Sequence, residues 1–121
     1  MSEASLTALV RQALQQTGVP VYETRRDGPA SFPCLMYHVN LWREAVRSGE
    51  KTLLTEVQFT VDGFSQNAAA LHAVFADADE RLRGLGLWCI NCGDYADRDH
   101  SFYRRTACYR AMLGPDGEVY Q

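Results

Sequence analysis

Cys89 and Cys92 stand in the stretch LWCINCGDYADRDH, residues 87–100, with Asp94, Asp97, Asp99 and His100 close behind. Thiols at C-x-x-C spacing hold zinc or carry out thiol–disulfide exchange, and closely spaced carboxylates hold hard cations. Each chemistry demands its own backbone. Zinc needs both thiolates about 2.3 Å from one ion, which requires the chain to bend between them. In an extended strand, residues three apart point to opposite faces and lie roughly 10 Å apart along the chain. Ile90 and Asn91 are not the Gly- or Pro-containing pair of a metal knuckle, although Gly93 follows.

A set made of Cys89, Cys92, His100 and Cys108 has zinc-ligand types, but its second pair lacks the short spacing of a second knuckle. A small zinc-binding module on these four residues is the alternative reading. A thioredoxin-like role would place the motif at the start of a helix, and no helical periodicity follows. A calcium loop counted from Asp94 needs Gly at its sixth position and Glu at its twelfth, where Asp99 and Arg105 stand. The expectation is therefore a strand leading into a solvated acidic turn.

Elsewhere Cys34, His38 and His100 have the types of a nucleophile and base, but no G-x-S-x-G, H-E-x-x-H or phosphate-loop pattern accompanies them. His72 lies in an Ala-rich helical stretch, where a packed or half-exposed histidine is the common case. The chain is read as a non-enzyme with no catalytic residues, no cofactor and no metal.

The elements that position these residues follow from periodicity. Leu6, Leu9, Val10, Ala13 and Leu14 recur on one helical face, with Ser2 or Ser5 as N-cap and Gly18 past the end, so residues 3–17 form a helix. VPVYE, 19–23, is a short strand that Pro20 assigns to a sheet edge. After a polar loop at 25–33, residues 34–47 and 52–65 form a long β-hairpin around the turn SGEK. On its second arm Val57, Phe59 and Val61 alternate with Gln58, Thr60 and Asp62. On its first arm strict alternation groups Leu35, Tyr37, Val39 and Leu41, leaving Met36, His38 and Trp42 on the nominally polar face, a candidate contact surface.

Ser65 is expected to cap a second helix with the stripe Ala68, Leu71, Phe75, Ala78 and Leu82, and with Asp77–Arg81 and Asp79–Arg83 pairs on its outer side. Residues 87–91 and 101–113 read as two further strands, the second with Arg104, Thr106, Cys108 and Arg110 on one face. The arginines suit either solvent or the acids of a neighbouring subunit. The order gives one α+β domain over residues 1–121, a mostly antiparallel sheet with a long β-hairpin and two helices packed on one face.

Composition sets the outer bounds. With 46% hydrophobic and 22% charged residues among 121, the chain belongs with ordinary globular proteins. A net charge of −3 argues against broad binding to nucleic acid. No apolar run approaches the roughly 18 to 20 residues of a membrane span, and the N-terminus lacks a signal-peptide pattern. The expectation is a cytoplasmic protein with four reduced thiols.

VPVYETRRDGPASFPCLMYHV, the hairpin ending VQFTVDGFSQNAAALHAVFADADERL and the late YRRTACYRAML together resemble the tail-completion family of long-tailed bacteriophages and prophages, over nearly the whole chain. That family includes tail terminators and tail-to-head joining proteins. FPCLMYHV stands where the family often has Phe-Pro-Tyr, and Cys34, Cys89 and Cys92 are not family features. The resemblance implies a subunit without cofactor or catalytic residue, assembling in the bacterial host cytoplasm into a ring, often of six copies. Its site would be the head–tail junction of the virion, with the tail tube protein and the head connector as partners. No membrane or specific nucleic-acid partner is implied. The expected contact residues are Arg25 and Arg26 in the first loop, Met36, His38 and Trp42 on the first arm, Arg43, Glu44, Arg47 and Lys51 near the hairpin tip, and Arg104 and Arg110 on the last strand.

Overall fold

Ser2 opens the first helix, α1 (Glu3–Gln15), its Oγ accepting from the backbone N–H of Ser5 at 3.1 Å. Leu6, Val10, Ala13 and Leu14 form its buried stripe. The computed structural model describes residues 2–24, 28, 29, 31–97 and 101–120. Gly18, at φ 86, turns the chain out of α1 into β1 (Val21–Glu23). β2 (Cys34–Ser48) and β3 (Lys51–Ser65) follow as a hairpin whose loop is only Gly49 and Glu50. The first residue of so short a loop favours positive φ, and Gly49 sits at 63°.

α2 (Ala68–Gly84) starts two residues later than the sequence pattern implied. Asn67 is its N-cap, with Oδ1 accepting from Ala70 N at 3.0 Å, while Ser65 Oγ accepts from Asn67 N just outside the helix. Both expected i, i+4 pairs form, Arg81–Asp77 at 3.0 Å and Arg83–Asp79 at 2.9 Å. β4 (Trp88–Asp97), β5 (Phe102–Leu113) and the two-residue β6 (Val119–Tyr120) complete the chain. β4 therefore absorbs residues 93–97, which the sequence assigned to an acidic turn.

The strand order is β1-β2-β3-β5-β4, with β6 beside β5 in the lane that β4 leaves beyond Trp88. β1 runs parallel to β2 at one edge, as Pro20 implied, and every other pairing is antiparallel. The molecule is α+β, both helices lying on one face of the sheet. The core between the layers sets Leu6, Val10, Leu14, Leu71, Phe75 and Leu82 against Tyr37, Phe59, Val61, Tyr109 and Leu113. Among the described residues no helix is long and apolar enough to cross a membrane.

Strict alternation breaks at two bulges near the core, one in β2 and one in β4, and again in the distal hairpin, where the register shifts between Glu44 and Val46 and between Val46 and Arg47. In β2 Val39 pairs with Phe59 but Leu41 pairs with Gln58, so Asn40 is an extra residue. From there to Glu44 the strand changes face: Leu41 joins Gln58 on the helix-free side, and Trp42, opposite Val57, packs against the main core. The expectation that Trp42 lies on the polar face is thereby corrected. Met36 stays on the helix-free face but is only 2% exposed, packed with Cys34 and Phe64 and flanked by Tyr22 and Phe102. The ring of Phe102 lies tilted at 5.2 Å from Phe32 and edge-to-face at 5.7 Å from Phe64, closing this second, smaller apolar cluster. Of the trio expected to lie exposed on this face, His38 alone does so, its Nδ1 2.8 Å from Thr24 Oγ1.

Candidate functional site

The second bulge decides the cysteine question. Cys89 pairs with Tyr109, Asn91 with Cys108 and Cys92 with Ala107, leaving Ile90 as the extra residue. Cys89 and Cys92 consequently share the helix-side face, where strict alternation would have separated them. They line a depression of about 250 Å³ with His72 and Asp79 of α2 and Arg105 and Tyr109 of β5.

Most of its polar groups are engaged, an exception being Arg105 Nε, which is buried without a hydrogen-bond partner among the described residues. Tyr109 donates to Asp79 Oδ1 at 2.8 Å, Arg83 pairs with the same carboxylate at 2.9 Å, and Cys89 Sγ donates to the carbonyl of Asn91 at 3.2 Å. Arg105 lies 3.6 Å from Asp94 and over the ring of Phe75. Burial, followed by the Asp79 contact, pushes the Tyr109 phenol far up. Burial likewise raises the thiols of Cys34, Cys89 and Cys108, the opposite of what thiolate chemistry requires.

Cys108 lies on the other face of the sheet, donating to Gln58 Oε1 at 3.5 Å and accepting from Asn40 Nδ2 at 3.6 Å. The zinc set is corrected on this ground, since one of its thiols is separated from the other two by the sheet itself. His100 lies outside the described residues, as do Asp99, Arg25 and Arg26. Among the described residues no three metal-ligating side chains converge.

The helix-free face carries the denser electrostatics. Glu56 is 4% exposed and Asp62 3%, although no helix covers them. Arginines do so instead. Arg43 reaches Glu56 Oε1 through Nε at 2.8 Å and Nη2 at 2.7 Å, while Arg110 Nε stands 2.6 Å from Oε2 as an ion pair whose N–H is not aimed along the contact. The hydrogen bond from Arg43 leads the causes that hold the Glu56 carboxyl below its ordinary range, against the cost of burial. Asp62 Oδ1 accepts from Arg104 Nε and Nη2, at 3.2 and 3.0 Å, and from Thr106 Oγ1 at 2.6 Å. Arg104 and Arg110, read from sequence as suited to a neighbour's acids, thus find their acids on β3 of their own chain.

The distal hairpin is different. β3 is paired to β5 only as far as Thr55, so residues 44–54 form a two-stranded arm. Glu44 and Arg47 pair at 3.3 Å, both about half exposed, and Lys51 is exposed. Val46, 43% exposed, is apolar surface on this arm.

No protein-family model and no curated protein matches the sequence. A solved structure does: a chain of the "Virion of native gene transfer agent (GTA) particle" is 16% identical, with 98% of each chain covered and a TM-score of 0.58. The fold is shared. Likeness at that identity extends over both helices and the whole sheet, and it carries no residue roles across.

Sequence reasoning singled out the arginines and overlooked Glu56 and Asp62. A signal was present, because the two acids are six residues apart on β3 and Arg104 and Arg110 are six apart on β5. Asp62 stands opposite Thr106 and Glu56 opposite Met112, so each acid meets the arginine two residues back along the antiparallel partner. The register that shows this becomes visible only once β3 and β5 are known to be neighbours.

Proposed function

We propose that this chain is a structural subunit of a phage-like particle, a tail terminator or tail-to-head joining protein that works as one non-catalytic domain in a ring of copies, six by the family resemblance. The observation that carries this reading is the full-length likeness of fold to a chain of a gene transfer agent virion. The side-chain chemistry is in keeping with it, since the buried acids and the Asp79–Tyr109 pair are spent on internal contacts. In this reading the chain is made in the host cytoplasm and ends at the head–tail junction, between the tail tube protein and the head connector. The exposed hairpin arm, with Glu44, Arg47 and Lys51 and with Arg43 at its base, is the segment that reaches a neighbour.

Native mass spectrometry of the purified chain should give a closed assembly of several copies. Deleting its gene from an inducible prophage or particle-forming cluster should leave heads and tails unjoined in electron micrographs. A chain that stays monomeric, with particles completed normally in its absence, would sink the proposal.

A further inference from the structure

The sheet has two long open edges with complementary character. Among the described residues no strand pairs with the outer side of β4, and β1 covers β2 only at Leu35–Tyr37, leaving β2 open from residue 38 to residue 48. An open edge presents a row of backbone donors and acceptors that only another strand satisfies. Natural edges are usually blunted by lysine or proline. β4 has neither, and it exposes Ile90 and Tyr95, 46% and 60% accessible. From 91 to 97 its register with β5 is unbroken. By sequence β4 carries Asp94 and Asp97 and no basic residue, with Asp94 3.6 Å from Arg105 yet more than half exposed, whereas the open part of β2 carries Arg43, turned on Glu56, and Arg47, paired with Glu44, both also more than half exposed.

We infer that the sheet continues from copy to copy, the open edge of β4 in one subunit pairing with the open edge of β2 in the next. This deepens the proposed function and rests on it. Because the two edges differ, the contact is head-to-tail, the type that generates rings. Backbone hydrogen bonds supply the attraction, and the acidic and basic edges set the partner and suppress like-edge pairing.

The backbone groups that would take part can be assigned. Leu35 N donates to Pro20 O and Thr24 N to Tyr37 O, each at 2.9 Å, so Leu35 and Tyr37 turn toward β1 and Met36 toward β3. Carried through the registers Met36↔Asp62, Val61↔Ala107 and Arg104↔Tyr95, the alternation aims Gly93 and Tyr95 at β5 and turns Cys92, Asp94 and Ala96 outward. On β2, past the bulge at Asn40, Trp42 and Glu44 face outward and Arg43 faces β3.

Two proline substitutions test the inference. Ala96→Pro removes an outward donor from β4, and Glu44→Pro removes one from β2, at positions where proline is tolerated because the inward ladder is untouched. Native mass spectrometry is run on the parent, on each variant and on an equimolar mixture. The parent should assemble and each variant should be a monomer with unaltered circular dichroism. The mixture should form a species of twice the monomer mass and nothing larger, since it offers one intact β4 edge and one intact β2 edge. That dimer also shows both variants to be folded.

A parent that assembles while the proline variants assemble equally well would overturn the edge pairing and leave the ring reading standing. Monomeric variants whose mixture stays monomeric would overturn it too. A parent that is itself monomeric would bring down the ring reading and this inference together.

Discussion

Gly63 lies in β3 directly beneath α2, and the space over its Cα is taken. A Cβ built there would lie 2.7 and 2.8 Å from Cε2 and Cδ2 of Phe75 and 2.9 Å from Cδ1 of Leu71. Carbon atoms make contact at about 3.5–4.0 Å, so Gly63→Ala requires the ring to retreat by close to an ångström. The ring has little freedom, being 4% exposed in the core, as Leu71 is at 3%. Overpacking of this kind costs about 1–3 kcal/mol. Alanine recovers roughly 0.5–1 kcal/mol of backbone entropy relative to glycine in a strand. The overlap prevails, and the net loss is about 1–2 kcal/mol, a fall in Tm of roughly 4–8 °C for a chain of this size.

Gly84, at the end of α2, has nothing within 4 Å of the corresponding position. Gly84→Ala should therefore raise Tm by roughly 2–4 °C, through helix propensity alone. Thermal melts followed by circular dichroism measure both. Adding Phe75→Leu to Gly63→Ala should cost less than the two single losses together, because they act on one space. If Gly63→Ala melts at or above the parent temperature, α2 does not ride this close to β3 and the packing argument fails.

Trp42→Ala should lower the unfolding free energy of the isolated chain by about 2 kcal/mol or more in urea titration, because the Asn40 bulge turns the ring onto the main core; unchanged stability with weakened association would return Trp42 to the helix-free face. Glu56 has a depressed folded pKa, so its contribution is fully present above the ordinary glutamate value of about 4.3 and is lost as pH falls through the lower folded value. Glu56→Gln should accordingly melt below the parent at pH 7, with the gap closing in the acid range, and a gap that is constant from pH 7 to strongly acid pH would show that Glu56 is not held ionised by Arg43 and Arg110.

Periodicity in the sequence determined the two helices, the long hairpin and the edge position of β1, because a buried helical stripe, an alternating arm around a Gly-containing turn and a proline act locally. The stripe of α2, Leu71, Phe75, Ala78 and Leu82, needs no knowledge of what it packs against to be recognised. Tertiary structure alone decided the cap of α2, where Asn67 displaces Ser65, and the faces on which Trp42, Cys89 and Cys92 lie. A strand has a period of two, so one extra residue reverses every side chain beyond it. Whether a strand takes an extra residue depends on the neighbour it must match, and Asn40 and Ile90 give no sign of it in the hydrophobic pattern. The same holds for Glu56 and Asp62. Their burial beneath Arg43, Arg104 and Arg110 follows from the pairing of β3 with β2 and β5, which brings together charges that the sequence keeps far apart.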